Sequence, residues 1–335
     1  MIRLARRTLI GAGLAPSFLA PSFLALPFLA RSFPARAVPL VSLVVGGVAG
    51  RGTDRAARAF APYLERHLRQ VRVAVLNRPG EAGLAALRLI AEADPAGNVI
   101  GWVASPTLPA RMVDRPEGAG MLDRLRLVGA VQKEPIVFVS GPRSPLGSVH
   151  DLLRRAGDDA GAMPLGTPPE GSAGHLAALR LQALSRVTLN IVAFPSAVAV
   201  RQAAQRGHVA AGALPIGDAL EGLREGTLTG LGVAARRPSR ALPTVAPLRD
   251  SGLVLSAAIL RGLALPAGAP AGRVAALEAA LRGVVADPEF IAAGDESGFL
   301  AGFIAGDAWA VQMREEQATL AEMWRSTPWN ASPAG

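Results

Sequence analysis

The sequence predicts an α/β protein of two lobes, on three observations. From Val38 onward, short β-branched runs alternate with longer Ala/Leu/Arg stretches of helical spacing. The opening order, strand–helix–strand–helix–strand, implies a parallel sheet with right-handed crossovers. The chain has 335 residues, half of them apolar and only 18% charged, which is enough for two hydrophobic cores and excludes a disordered or fibrous polymer.

The elements follow in order. Leu40–Val45 reads as a strand and Gly46 to Gly52 as a glycine-rich turn. Asp54 to Arg69 is helical, because Ala57, Phe60, Ala61, Leu64 and Leu68 share one face. Val71–Leu76 is a strand, Asn77-Arg78-Pro79-Gly80 a turn, Leu84–Ala93 a helix and Val99–Val103 the third strand. The middle of the chain repeats the alternation, with strands at Ile136–Val139, Met163–Leu165, Leu189–Ala193, Val209–Ala213 and Leu228–Ala234. Helices lie between them at Val149–Ala156, His175–Leu184 and Ala197–Arg206. A strand at Ile259–Leu265 leads to Pro266-Ala267-Gly268-Ala269-Pro270, and helices are expected to fill the remainder. The expected division is 1–37 as an export signal, 38–139 plus 258–335 as a discontinuous first lobe, and 140–257 as the second.

Residues 1–37 carry five arginines and no acid. Without them, 30 basic side chains face 26 acidic ones, a balance too even to suggest nucleic acid. A basic start (Arg3, Arg6, Arg7), an apolar stretch from Leu9 to Ala30 and Ala35-Arg36-Ala37 match a signal peptide cleaved near Ala37. Arg6-Arg7 also resembles a twin-arginine signal, and the alternative is a retained membrane anchor. The expected location is the periplasm. Cysteine is absent, so disulfide and thiolate chemistry are excluded.

The loop Gly46 to Asp54 sits between a strand and a helix, where exposed amides at a helix N-terminus seat an anion. Gly50, Arg51, Gly52, Thr53 and Asp54 are its candidate ligand contacts; Thr53 or Asp54 reads equally as the helix N-cap, and Arg51 as a solvated arginine. The loop is not a dinucleotide fingerprint, because Arg55 stands where a third glycine is needed and Asn77 where a ribose-binding acid would be. Gly80, Glu81 and Gly83 open a second helix, where they are candidate ligand contacts through a second set of amides; the alternative is a plain turn. Ser105 and Thr107 follow the third strand, on the edge where open parallel sheets bind ligands. Gly171-Ser172-Ala173-Gly174-His175 opens a helix that Ser172 caps, and Thr167 precedes it. His175 has no nucleophile and orienting acid to form a triad, and no metal-ligand spacing is present. No enzyme, cofactor or metal is expected.

In this order the segments resemble the substrate-binding proteins of tripartite tricarboxylate transporters, the Bug family. Gly50-Arg51-Gly52-Thr53-Asp54 is similar to the family's Gly-Gly-x-Thr-Asp, and Asn77 to Gly83 to its Asn-Arg-Pro-Gly-Ala-Gly-Gly. Asp94-Pro95-Ala96-Gly97 corresponds to its Pro-Asp-Gly turn, and Gly171 to Leu176 to its Gly-Ser-x-x-His-Leu. Gly226 to Val245 and Gly262 to Pro270 resemble two further segments, so the likeness spans residues 38–325. It implies the type II periplasmic binding protein architecture, with a cleft ligand held by amides, hydroxyls and water. It also implies a small carboxylate as ligand, a membrane permease of the tripartite tricarboxylate type as partner, and a monomer. The alternatives are service to a sensor partner or a degenerate member without a transport role.

The departures narrow the ligand. Val192-Ala193-Phe194-Pro195-Ser196 replaces the family's Val-Pro-Tyr-Lys-Gly, which makes Phe194 and Ser196 candidate contacts. Ala210 and Leu214 stand where members often carry acids. A ligand ammonium would need such an acid, since a buried charge must be paired, so an apolar carboxylate without an amino group is expected.

Overall fold

The computed structural model describes residues 38–329 except 145 and 160; the export signal expected over 1–37 lies outside the described residues. Three strands, β1 (Leu40–Val45), β2 (Arg72–Asn77) and β3 (Val99–Ser105), run parallel in the order β2-β1-β3. The connections are α1 (Gly52–Leu68) and α2 (Leu84–Glu92), and α3 (Thr107–Asp114) follows β3. In α1 the residues Ala57, Phe60, Ala61 and Leu64 are buried, the face that the spacing predicts.

The 16-residue strand β4 (Leu125–Ser140) belongs to both lobes. Leu125 to Pro135 pairs antiparallel with β9 (Ala258–Pro266) in the first sheet. Ile136 to Ser140 pairs with β7 (Ala211–Pro215) and β8 (Thr229–Val233) in the second. The change of partner falls at Pro135, which has no N–H to give to a ladder. Beside it the Ile136 amide donates to Ala257 O at 2.9 Å, so the outgoing and returning strands cross together. The second sheet is completed by β5 (Pro164–Thr167), parallel to both β6 (Asn190–Ala193) and β7.

Helices cover both faces of each sheet. In the first lobe α1, α8 (Ala271–Ala286) and α9 (Pro288–Ser297) cover one face, where Phe60 stacks on Trp102 at 4.6 Å. On the other face α2, α3 and α10 (Gly306–Ser326) enclose Ile90, Met121 and Trp309. In the second lobe α4 (Val149–Asp158) and α5 (Ala173–Ser185) lie on one face, α6 (Ala197–Arg206) and α7 (Ile216–Arg224) on the other.

Three expectations are corrected. The segment after Pro270 is not all helix, because β10 (Leu300–Ala305) pairs antiparallel with β4. Helices α3 and α7 lie where no element was expected. The N-cap of α1 is neither Thr53 nor Asp54 but Arg51, in an extended conformation (φ −83°, ψ 166°). Its side chain makes no cap bond, so Asp54 one turn on supplies the acceptor, taking the Gly50 amide at 2.7 Å.

Candidate functional site

The C-terminal ends of β1 and β3 open toward the loop between β5 and α5, and a cavity of about 270 Å³ lies between them. It collects the first turns of α1, α3 and α5. Thr53, Thr107 and Ser172 line it from those helices, and Gly83 and Gly171 from the adjoining loops. Helix N-termini present unpaired amides and a positive dipole end, so three of them around one cavity favour an anion. Ser172 accepts from the His175 amide at 3.4 Å, the cap that the sequence predicts.

Arg111, the largest polar group in this lining, was not singled out in the sequence. It sits one turn beyond Thr107 on α3, so both side chains share a face. The signal was that i, i+4 spacing, obscured because Pro109 hid the short helix; proline in a first turn removes an N–H that has no intrahelical partner. The Arg111 side chain is 5% exposed and pairs with Asp114 at 2.6 Å. It also donates to Glu170 O at 3.0 Å, a contact from the first lobe to the second. Burial pushes Arg111 below its ordinary pKa and Asp114 above its own, with their mutual attraction opposing both shifts. Gly171 is required beside it: with φ +70°, any Cβ would lie 1.7 Å from Arg111 Nη2.

Other candidates from the sequence lie elsewhere. Asp54 is buried and accepts from Arg58 Nε at 2.9 Å and Asn77 Nδ2 at 2.9 Å as well as from Gly50. Burial alone would raise its carboxyl, but the hydrogen bonds from Arg58, Gly50 and Asn77 outweigh it and hold the pKa below the ordinary value. Asp54 thus holds the loop together. Gly50 and Arg51 are exposed on that loop, outside the cavity. Gly80 precedes a 3-10 turn, and Glu81 pairs with Arg88 on the surface. Ser105 Oγ accepts from Trp309 Nε1 at 3.2 Å, away from the cavity. Thr167 is fully buried at the end of β5. Phe194 packs against the core of the second lobe, and Ser196 caps α6 through the Ala199 amide at 3.1 Å.

His175 is buried beneath the α5 loop, and its Nδ1 accepts from the Gly171 amide at 3.4 Å. Burial, helped by the nearby Arg111 charge, lowers its pKa to about 4. The imidazole is therefore neutral at pH 7 and adds no charge to the cavity. Among the described residues no group of three or more His, Asp or Glu is placed to hold a metal, and no helix is long and apolar enough to cross a membrane.

A second interlobe cavity, of about 580 Å³, is lined by Gly52, Arg55, Gln132, Glu134, Asp218 and Arg261, among others. Its charges pair with one another, Arg55 with Asp218 at 2.7 Å and Arg261 with Glu134 at 2.5 Å, with Glu134 also taking the Gly217 amide at 2.9 Å. Arg261 Nε and Gln132 Oε1 are buried without a partner among the described residues. The smaller cavity combines mostly apolar walls with converging helix N-termini, the features of a small-molecule pocket.

A family model described as the tripartite tricarboxylate transporter family receptor matches residues 56–308. The fold is also similar to solved structures. MatC from Rhodopseudomonas palustris with bound malate is 24% identical, at a TM-score of 0.74, over 86% of this chain and 99% of that one. Rpa4515 from R. palustris with adipate is 21% identical, at a TM-score of 0.77, over 88% and 98%. A TctC solute-binding protein from Polaromonas, without ligand, is 22% identical, at a TM-score of 0.71, over 88% and 100%. A comparison with curated protein sequences gives no match.

Proposed function

The chain belongs to the tripartite tricarboxylate transporter receptor family, and from that premise we propose that it captures a small organic carboxylate in the cleft beside Arg111 and delivers it to a membrane permease. In this reading it acts as a monomer in the periplasm, after loss of residues 1–37, and catalyses no reaction. Its lobes follow the expected division, 38–139 with 258–335 and 140–257, with the first crossing moved back to Pro135 because Ile136–Ser140 pairs in the second sheet. They move about the paired crossings beside Pro135 and Ala257.

The observation that carries the reading is the convergence of three helix N-termini, three hydroxyls and one guanidinium on a single cavity between the lobes. Closure removes water from those donors. Each charge-assisted hydrogen bond to a carboxylate is then worth roughly 1.5–3 kcal/mol. Solved relatives bound to malate and adipate support the ligand class.

Thermal unfolding of residues 38–335 against a panel of mono-, di- and tricarboxylates, aromatic acids, Asp and Glu tests it. A ligand at 100 times its Kd adds about 2.7 kcal/mol of stability, which appears as a clear rise in Tm. A selective rise with one class of carboxylate supports the receptor. No rise with any carboxylate removes the reading.

A further inference from the structure

The geometry points to Arg111 as the anchor for a single carboxylate, in a cleft whose remaining wall takes an apolar tail. The class of ligand selected is a monocarboxylic acid with an aliphatic or aromatic body, in preference to dicarboxylates and amino acids. This rests on the receptor reading and narrows its ligand.

Arg111 is the one cationic side chain among the described residues that line the cavity. A guanidinium carries five N–H donors. Nη2 serves Asp114 and Glu170 O, and the side chain, 5% exposed, is part of the cavity lining. The hydroxyls of Thr107 and Ser172 line the same cavity, from the first turns of α3 and α5. One carboxylate can take both the accessible part of the guanidinium and these donors.

The rest of the lining is of different chemistry. Ala86, Leu87 and Ile90 from α2, with Val103 and Leu108, form an apolar wall. A second carboxylate directed there would be desolvated without a cation. The one acidic side chain in the lining, Glu170, is exposed. An α-ammonium therefore finds no buried acid to pair with. The cavity, about 270 Å³, takes a ligand on the order of ten heavy atoms.

Isothermal titration of the purified full-length protein with hexanoate, benzoate, adipate, malate, glutamate and hexanamide tests the assignment. The expected result is that hexanoate or benzoate binds at least 100-fold tighter than adipate, malate or glutamate, and that hexanamide, equal in shape but uncharged, binds at least 100-fold weaker than hexanoate. Because Arg111→Gln removes the cation beside Asp114, the pair is also removed together as Arg111→Met with Asp114→Asn. Either variant is expected to lose at least 100-fold for hexanoate. Adipate or malate binding as tightly as hexanoate overturns the monocarboxylate selection while leaving the receptor reading intact. Hexanamide binding as tightly as hexanoate, or a folded double variant with unchanged affinity, overturns the anchor. Binding by none of the acids overturns both.

Discussion

At the scale of single residues, the site is decided by which polar groups already have partners. Asp54 and Arg111 are both charged, and both belong to the first lobe. Asp54 is saturated by Gly50, Arg58 and Asn77, so it is a brace for its loop. Arg111 is held through Nη2 by Asp114 and Glu170 O and lines the cavity. His175 shows the same logic in protons. The unfolded imidazole takes up its proton near pH 6.5 and the folded one only near pH 4. Between these values the unfolded state holds more protons, so stability falls as the pH drops through that window, by about 3 kcal/mol in all. His175→Asn, which keeps an acceptor for the Gly171 amide, is expected to lose this slope. Denaturant unfolding at pH 7 and pH 4.5 should show the variant gaining about 2 kcal/mol on the parent at the lower pH. A constant difference at both pH values would mean that the imidazole is not held neutral.

At the scale of elements, the crossing strands approach each other closely. β4 and β9 pair over most of their lengths, with irregularities at Leu127/Gly129 and Ala130/Gln132 that re-aim the ribbon. Gly262 on β9 lies so close to β4 that an added Cβ would stand 2.0 Å from Gly129 O and 2.5 Å from Ala130 Cα. These are backbone atoms in the middle of a sheet and cannot turn aside. Gly262→Ala is expected to destabilise by about 2 kcal/mol or more, read as a lower denaturant midpoint. Gly272→Ala on α8, where nothing lies within 4 Å, is the control and should be neutral or slightly stabilising. Equal effects from the two would place the constraint in backbone freedom and not in close approach.

At the scale of the whole molecule, contacts of different kinds join the lobes, and two of them contrast. On one side Arg55, half exposed, pairs with Asp218 at 2.7 Å. On the other, Trp329 donates to Asp114 at 2.8 Å and packs with Leu320, Ala110 of α3, and Leu176 and Leu179 of α5. The first is an exposed ion pair, worth up to about 1 kcal/mol. The second buries a large aromatic side chain together with a charged network. Trp329→Ala is expected to cost about 3 kcal/mol and Arg55→Ala less than about 1. Chemical denaturation of both variants checks the order, and a larger loss from Arg55→Ala would reverse the assignment of which contact holds the lobes.

Legibility in the sequence followed the range of the interactions involved. Strands β1, β2 and β3, helices α1 and α6, the Ser172 cap and the two-lobe α/β class were readable, because alternation, helical spacing and capping act between residues a few positions apart. Thr53, Gly83, Thr107, Gly171 and Ser172 were readable as loop residues at strand ends, and the fold brings them to one cavity. The strand β10 was not readable, since Leu300 to Ala305 carries no alternation strong enough to separate it from the helices on either side and owes its form to pairing with β4. Nor were the roles of Arg111, whose short helix Pro109 obscured, and of Asp54, whose loop position fitted a cap or a ligand contact as well as a brace. By itself the sequence determined the class of fold and the loops that face the cleft. Only the tertiary structure decided which charge lines the interlobe cavity, because that depends on partners brought from Asn77, Glu170 and Trp329, far away along the chain.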